Sequence, residues 1–259
     1  MLEKIILKCR YKKELKGTYN WGSLLHGALL EMLPQETGEA LHQGNLRPFS
    51  QYVVMGTQNE LSWHIGLWDE EIAQSLTSVL LHLKSIKIKH KDMNLEVISI
   101  EQSKESLPDF FARFFTTLEV CRRYEISFLT PCTHKRNGKY VVFPEVDLII
   151  KSLLQRYGGF IREFSLDDSE MTEQLVLNLD IVRYSLRSAV YYLEGVKITG
   201  FMGKITIQIR GPEQLARLAG ALLSFGEYAG LGAKTALGMG GVSVKPVFDD
   251  RNRQNSRKL

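Results

Sequence analysis

Strand-like and helix-like hydrophobic periods follow one another in nearly the same order twice along these 259 residues, and an aromatic-rich segment separates the two runs. Six glycines crowd the stretch from Gly226 to Gly241. Together these observations predict an α+β chain of two tandem ferredoxin-like domains with a C-terminal glycine-rich loop. The expected domains are 1–108 and 123–248, followed at 249–259 by a polar, basic tail expected to be disordered.

Ile5 and Leu7 alternate as in a strand. After Gly17, Trp21, Leu24, Leu25, Ala28, Leu29 and Met32 recur at helical spacing, and Pro34 ends that run. Strands are expected at Gln51–Met55 and Leu61–Leu67, a helix at Glu70–Leu83 and a strand at Leu95–Ile100. Lys87, Lys89 and Lys91 alternate with Ile86 and Ile88; such a face either guards an exposed sheet edge or tracks an RNA, and the pattern leaves both open. Phe110, Phe111, Phe114 and Phe115 predict a connecting helix packed between the halves. The second run begins with a strand at Tyr124–Leu129, a hairpin turning at Asn137-Gly138 into Tyr140–Phe143, and a helix at Glu145–Gly158. Strands at Asp180–Leu186, Ala189–Leu193 and Lys204–Arg210, a helix at Pro212–Phe225 and a strand through Val242, Val244 and Val247 complete it.

A hydrophobic content of 44% over this length suits two small cores. Three cysteines, Cys9, Cys121 and Cys132, are widely spaced, and no CxxC or Cys-His cluster offers a zinc site, so reduced thiols in a cytoplasm are expected. The N-terminus lacks a signal peptide's apolar region, and no apolar run approaches the roughly 20 residues of a membrane span. Net charge is +4 but unevenly placed: from Arg183 onward 12 lysines and arginines face 5 acidic residues. That asymmetry favours a polyanion partner through an interaction that weakens with salt.

Glycine takes positive φ freely and lets another chain approach its backbone, so the 226–241 stretch is expected to form a loop whose amides face a ligand. Phosphate fits best, because successive amides make anion-binding concavities and Lys234 and Thr235 add a charge and a hydroxyl. Two known phosphate loops are excluded. A Walker A loop needs glycine where Ala233 and Tyr228 stand, and the dinucleotide fingerprint needs glycine at Thr235 or Ser243. The loop also follows a helix and precedes a strand, the reverse of both motifs.

Phe225-Gly226-Glu227 leading into Gly230-x-Gly232-x-Lys234-Thr235-x-Leu237-Gly238-Met239-Gly240 resembles the C-terminal signature of the CRISPR-associated repeat-cleaving endoribonucleases, part of the repeat-associated RNA-binding superfamily. Leu25-His26-Gly27 and Leu41-His42 fall where members of that family carry catalytic histidines. The resemblance implies a metal-independent endoribonuclease that binds CRISPR repeat RNA and cuts precursor CRISPR RNA by 2′-hydroxyl attack, leaving a 2′,3′-cyclic phosphate and a 5′-hydroxyl. Precursor CRISPR RNA is the partner it implies, with a CRISPR effector complex as a further one. It implies no cofactor and no membrane, and leaves monomer and homodimer open.

Such chemistry needs a base, an acid and a cation for the phosphorane-like transition state, and imidazole serves either of the first two roles near neutrality. No His-x-x-x-His or Asp-x-Asp cluster suggests a metal pair. His42, before the loop Gln43-Gly44-Asn45-Leu46-Arg47, ranks ahead of His26 on the first helix, and Arg47 is the candidate for stabilising phosphate charge. Some family members carry a tyrosine one turn after His26, where this chain has Leu30; either His26 takes its place or Tyr19 does. The remaining histidines His64, His82, His90 and His134 are read as structural. Gly226, Gly230, Gly232, Gly238 and Gly240, with Lys234, Thr235, Lys204 and Arg187, are expected to hold the RNA backbone. The ferredoxin-like plan is also that of RNA-recognition (RRM) domains, but Gly200-Phe201-Met202-Gly203 lacks their second aromatic, so Phe201 is expected to pack rather than stack a base. A noncatalytic guide-RNA-binding subunit and a general single-strand RNA binder remain alternatives; the first needs the loop but not the histidines.

Overall fold

The computed structural model describes residues 1–34, 38, 46–88, 93–162, 165–166 and 168–248. The N-terminal half runs β1 (Leu2–Arg10), α1 (Trp21–Glu31), β2 (Phe49–Met55), β3 (Glu60–Leu67), α2 (Glu70–Leu80), β4 (Ser85–Ile88) and β5 (Met93–Glu105). Its sheet order is β2-β3-β1-β5-β4, the ferredoxin-like arrangement with β4 added outside β5. Alternation decides which face is covered: Ile5, Leu7 and Cys9 of β1 are fully buried, as are Trp63 and Leu67 of β3. Asp69 caps α2 by accepting from the Ile72 amide, and Glu70 and Glu71 complement the dipole of the first turn.

Helix α3 (Leu107–Phe115) connects the halves, capped by Ser106 and carrying Pro108 in its first turn. The C-terminal half follows as β6 (Arg123–Cys132), β7 (His134–Arg136), β8 (Lys139–Val141), α4 (Val146–Phe160), α5 (Ser169–Asn178), β9 (Leu179–Leu193), β10 (Val196–Ile209), α6 (Glu213–Ala229) and β11 (Val242–Pro246). The order β11-β6-β10-β9 repeats the ferredoxin-like plan, and β7 and β8 form a separate hairpin. Asn137 and Gly138 turn that hairpin with φ of 52° and 77°, as the dipeptide predicts. One core lies under the N-terminal sheet; the other, around Ile126, Leu153, Ile205 and Leu223, also takes in Leu2, Trp68 and Phe110. Trp68 meets Phe225 edge-on at 5.8 Å, so the halves share apolar surface.

Several sequence expectations are corrected. Helix α6 continues to Ala229, which places Gly226 inside the helix. The two short strands expected between Asp180 and Leu193 are one, β9, and β10 begins well before Lys204. Helix α5 was not expected; only Leu175 of it is buried, too little to make a hydrophobic period. Phe201 packs as expected: it is 2% exposed and meets Phe128 edge-to-face at 4.8 Å. Lys87 lies on the edge strand β4, whereas Lys89, Lys91, His90 and the 249–259 tail lie outside the described residues. Among the described residues, no helix is long and apolar enough to cross a membrane.

Candidate functional site

The glycine-rich loop leaves the end of α6 at Gly230, makes one 3-10 turn at Thr235–Leu237 and enters β11. Its amides were expected to face a ligand. Most of them instead bond within the protein: Leu231 to Gly240 O at 2.9 Å, Ala233 to Thr133 O at 2.7 Å, Gly240 to Pro131 O at 2.9 Å and Gly241 to Thr130 Oγ1 at 2.9 Å. A buried amide must be paired, and this loop is mostly buried. Its glycines serve close packing. A Cβ on Gly232 would stand 2.3 Å from Thr133 O, and one on Gly238 2.3 Å from the Tyr191 hydroxyl.

The loop also joins the halves. Buried Gln51 of β2 donates from Nε2 to Gly22 O at 2.8 Å and Ala236 O at 2.9 Å, while its Oε1 accepts from Trp63 Nε1 at 2.8 Å. Lys4 of β1 pairs with Glu227 of α6 across the same junction at 2.7 Å, while Tyr191 of β9 donates to Leu237 O at 2.6 Å and fixes the loop to its own half. These contacts hold Lys234 and Thr235 against the N-terminal half, opposite Arg47.

There the two halves enclose a pocket of about 580 Å³. Arg47 and Phe49 line it from the N-terminal half, the loop adds Lys234 and Thr235, and β7 and α4 add Lys135, Lys151 and Arg156. No Asp or Glu is among its described lining residues. Burial lowers the pKa of Lys234, and the charges of Lys135 and Arg47 lower it further against a weaker pull from Glu194. Burial also lowers that of Arg47. Cations crowded in this way favour a bound anion, which would relieve both desolvation and repulsion.

The expected site residues divide. Arg47, Gly232, Lys234 and Thr235 meet at the pocket. His26 is 5% exposed on α1 and stacks on Phe49 at 5.9 Å, one ring behind the pocket wall. His42 lies outside the described residues. Tyr19 is elsewhere: its hydroxyl donates to Val190 O at 2.9 Å and its ring stacks on Tyr191 at 6.2 Å. Lys204 pairs with Glu125 at 2.7 Å, and Arg187 sits opposite Met202 on β9; both are exposed on the C-terminal sheet, away from the pocket.

Sequence reasoning missed Lys135, Lys151, Arg156 and His134. A signal existed for Arg156, which continues the buried face of α4 through Ile149, Ile150 and Leu153, where a cation is out of place. His134, read as structural, lines the pocket while 3% exposed. Burial, then the charge of Arg156, push its pKa from 6.5 to about 4, against weaker pulls from Asp147 and Glu145. Between pH 6.5 and 4 the unfolded chain therefore binds a proton that the folded protein excludes, and stability falls as pH falls through that window. The full shift corresponds to about 3 kcal/mol. In phosphate-free buffer, thermal melts of the RNA-free protein should lose stability from pH 6.5 downward, and His134→Asn should flatten part of that loss; an unchanged slope would assign the loss elsewhere.

A profile of the family described as "CRISPR-associated endoribonuclease Cas6" matches residues 126–242. The CRISPR-associated endoribonuclease Cas6 of Streptococcus thermophilus is 31% identical over 226 residues, 86% of this chain and 91% of the relative. That of Mycobacterium tuberculosis is 28% identical over 228 residues, 87% and 72% of the two chains. A solved Cas6 product complex shares the fold with a TM-score of 0.75 at 23% identity, over 94% of this chain and 99% of that one. Thermus thermophilus Cas6 does so with a TM-score of 0.73 at 19% identity, over 95% and 98%.

Proposed function

We propose, from the premise that this chain belongs to the Cas6 family of CRISPR-associated endoribonucleases, that it binds CRISPR repeat RNA and cuts precursor CRISPR RNA without a metal. The ribose 2′-hydroxyl attacks the adjacent phosphorus, the 5′-oxygen leaves, and the products carry a 2′,3′-cyclic phosphate and a 5′-hydroxyl. His42 supplies the base or the acid, and His26, which stacks behind Phe49 at the pocket wall, is the candidate for the other role. Arg47 and Lys234 stabilise charge developing on the phosphoryl oxygens from a partly desolvated position, where such interactions are stronger than in water. Lys204 and Arg187 contact RNA outside the pocket, on the exposed face of the C-terminal sheet. Tyr19, with its hydroxyl committed to Val190 O, takes no part.

The observation that carries this reading is the pocket without a described acidic lining residue, in which Arg47 from one half faces Lys234 and Thr235 from the other. RNA held across it is contacted by both halves at once. End-labelled cognate repeat RNA incubated with the protein in EDTA should give a single cut, and a copy with a 2′-deoxy ribose at that site should stay intact. Cleavage that needs metal, or that survives the deoxy substitution, would refute the chemistry. Tight binding with no cut under either condition would identify a noncatalytic guide-RNA-binding subunit instead.

A further inference from the structure

The pocket wall supplied by the C-terminal half holds three polar side chains with buried atoms that no described residue satisfies. Arg156 is 8% exposed and donates from Nη2 to Gly232 O, but its Nε has no partner among the described residues. Both ring nitrogens of His134 and the Oγ1 of Thr235, which is 2% exposed, likewise have none. All three line the pocket. Among the described residues no carboxylate pairs with Arg156, and a buried guanidinium without a counter-ion costs free energy, as does each buried polar atom left without a hydrogen bond. Burial lowers the pKa of Arg156 to about 10, so the site carries that cost with the charge still present near neutrality. Its Gly232 bond leaves the rest of its donor fork for a ligand, and Lys151 and Lys234 add charge on the same pocket.

We propose that Arg156, His134 and Thr235 form a phosphate subsite that receives a backbone phosphate of the bound RNA. The occupant is a phosphodiester for three reasons. A guanidinium fork matches two phosphoryl oxygens, a neutral imidazole and a hydroxyl supply further donors, and the cations around them suit a polyanion. The volume lies within the range of sites that enclose a ligand of about nucleotide size. The assignment rests on the reading that this pocket holds repeat RNA, and it places the C-terminal wall in direct contact with that RNA.

The test uses the full-length protein and a cognate repeat made uncleavable by 2′-deoxy substitution, with affinity measured across a salt series. Arg156→Met should weaken binding about tenfold or more and lower the slope of log affinity against log salt by about 0.7, the loss of one phosphate contact on a single strand. Arg156→Lys should keep the slope while losing part of the affinity, because it retains the charge and not the fork. Thr235→Val, which removes only a hydroxyl that has no partner among the described residues, should weaken binding about tenfold with no loss of thermal stability. Wild-type affinity in Arg156→Met, or weaker binding with an unchanged salt slope, would overturn the subsite. If Arg156→Met does not fold, wild-type affinity in Thr235→Val overturns it. If the wild-type protein does not bind repeat RNA, the functional reading fails first. Thermal stabilisation by inorganic phosphate then decides the subsite: a shift in the wild type that shrinks in Thr235→Val supports it, and no shift, or an equal one, overturns it.

Discussion

His42→Ala should abolish cleavage of repeat RNA while leaving its affinity within about threefold of wild type, the pattern of a group that acts in the transition state and not in ground-state binding. General acid or base catalysis contributes about 10²–10⁴ in rate, so the loss should approach the limit of detection in single-turnover assays. Arg47 lines the pocket and lies five positions after His42 in the sequence, a reach of at most about 18 Å. His26→Ala is a less clean probe, because His26 is buried against Phe49 and its removal leaves a cavity as well as an absent imidazole. An active His42→Ala would move the chemistry to other groups. A variant that lost affinity in step with rate would make His42 a binding residue.

Gly240→Ala should unfold the loop junction. Gly240 has a φ of 65°, and a Cβ there would stand 1.9 Å from Leu231 O. Neither side can yield cheaply: Gly240 accepts from the Leu231 amide and donates to Pro131 O, each at 2.9 Å. Left-handed strain costs about 1–3 kcal/mol and overpacking about 1–3 kcal/mol more, so a loss of roughly 3 kcal/mol or more is expected. For a chain of this size that is a fall in Tm of roughly 6–12 °C. Gly158→Ala on α4 is the matched control, because a Cβ there meets nothing within 4 Å and replacing glycine in a helix gains up to about 1 kcal/mol. Equal melting temperatures for the two variants would show that the loop relaxes around the new methyl group, contrary to the close packing described above.

The glycine stretch shows where sequence reading stops. Glycine density reads the same whether a backbone must open toward a phosphate or pass close to another chain. Only the partners, Thr133 O, Leu231 O and the Tyr52 ring against Gly241, separate the two, and they assign most of these glycines to packing. Lys234 and Thr235 nevertheless sit on the pocket, as their place in the motif suggested. Helix α5 went unread because it buries little. Strand β9 reads as two because Arg187 and Ser188, both exposed, interrupt its pattern between Leu186 and Ala189.

What the sequence alone determined about this protein is what near neighbours determine. Hydrophobic periods specified the first βαββαβ run and, apart from the division of β9, the second; Asn137-Gly138 specified its hairpin, and the C-terminal motif specified the family. The tertiary structure alone decided which cations share a pocket. Arg47, Lys135, Arg156 and Lys234 come from widely separated parts of the chain, and no local pattern records that two sheets, locked together by Gln51 and the glycine loop, bring them together.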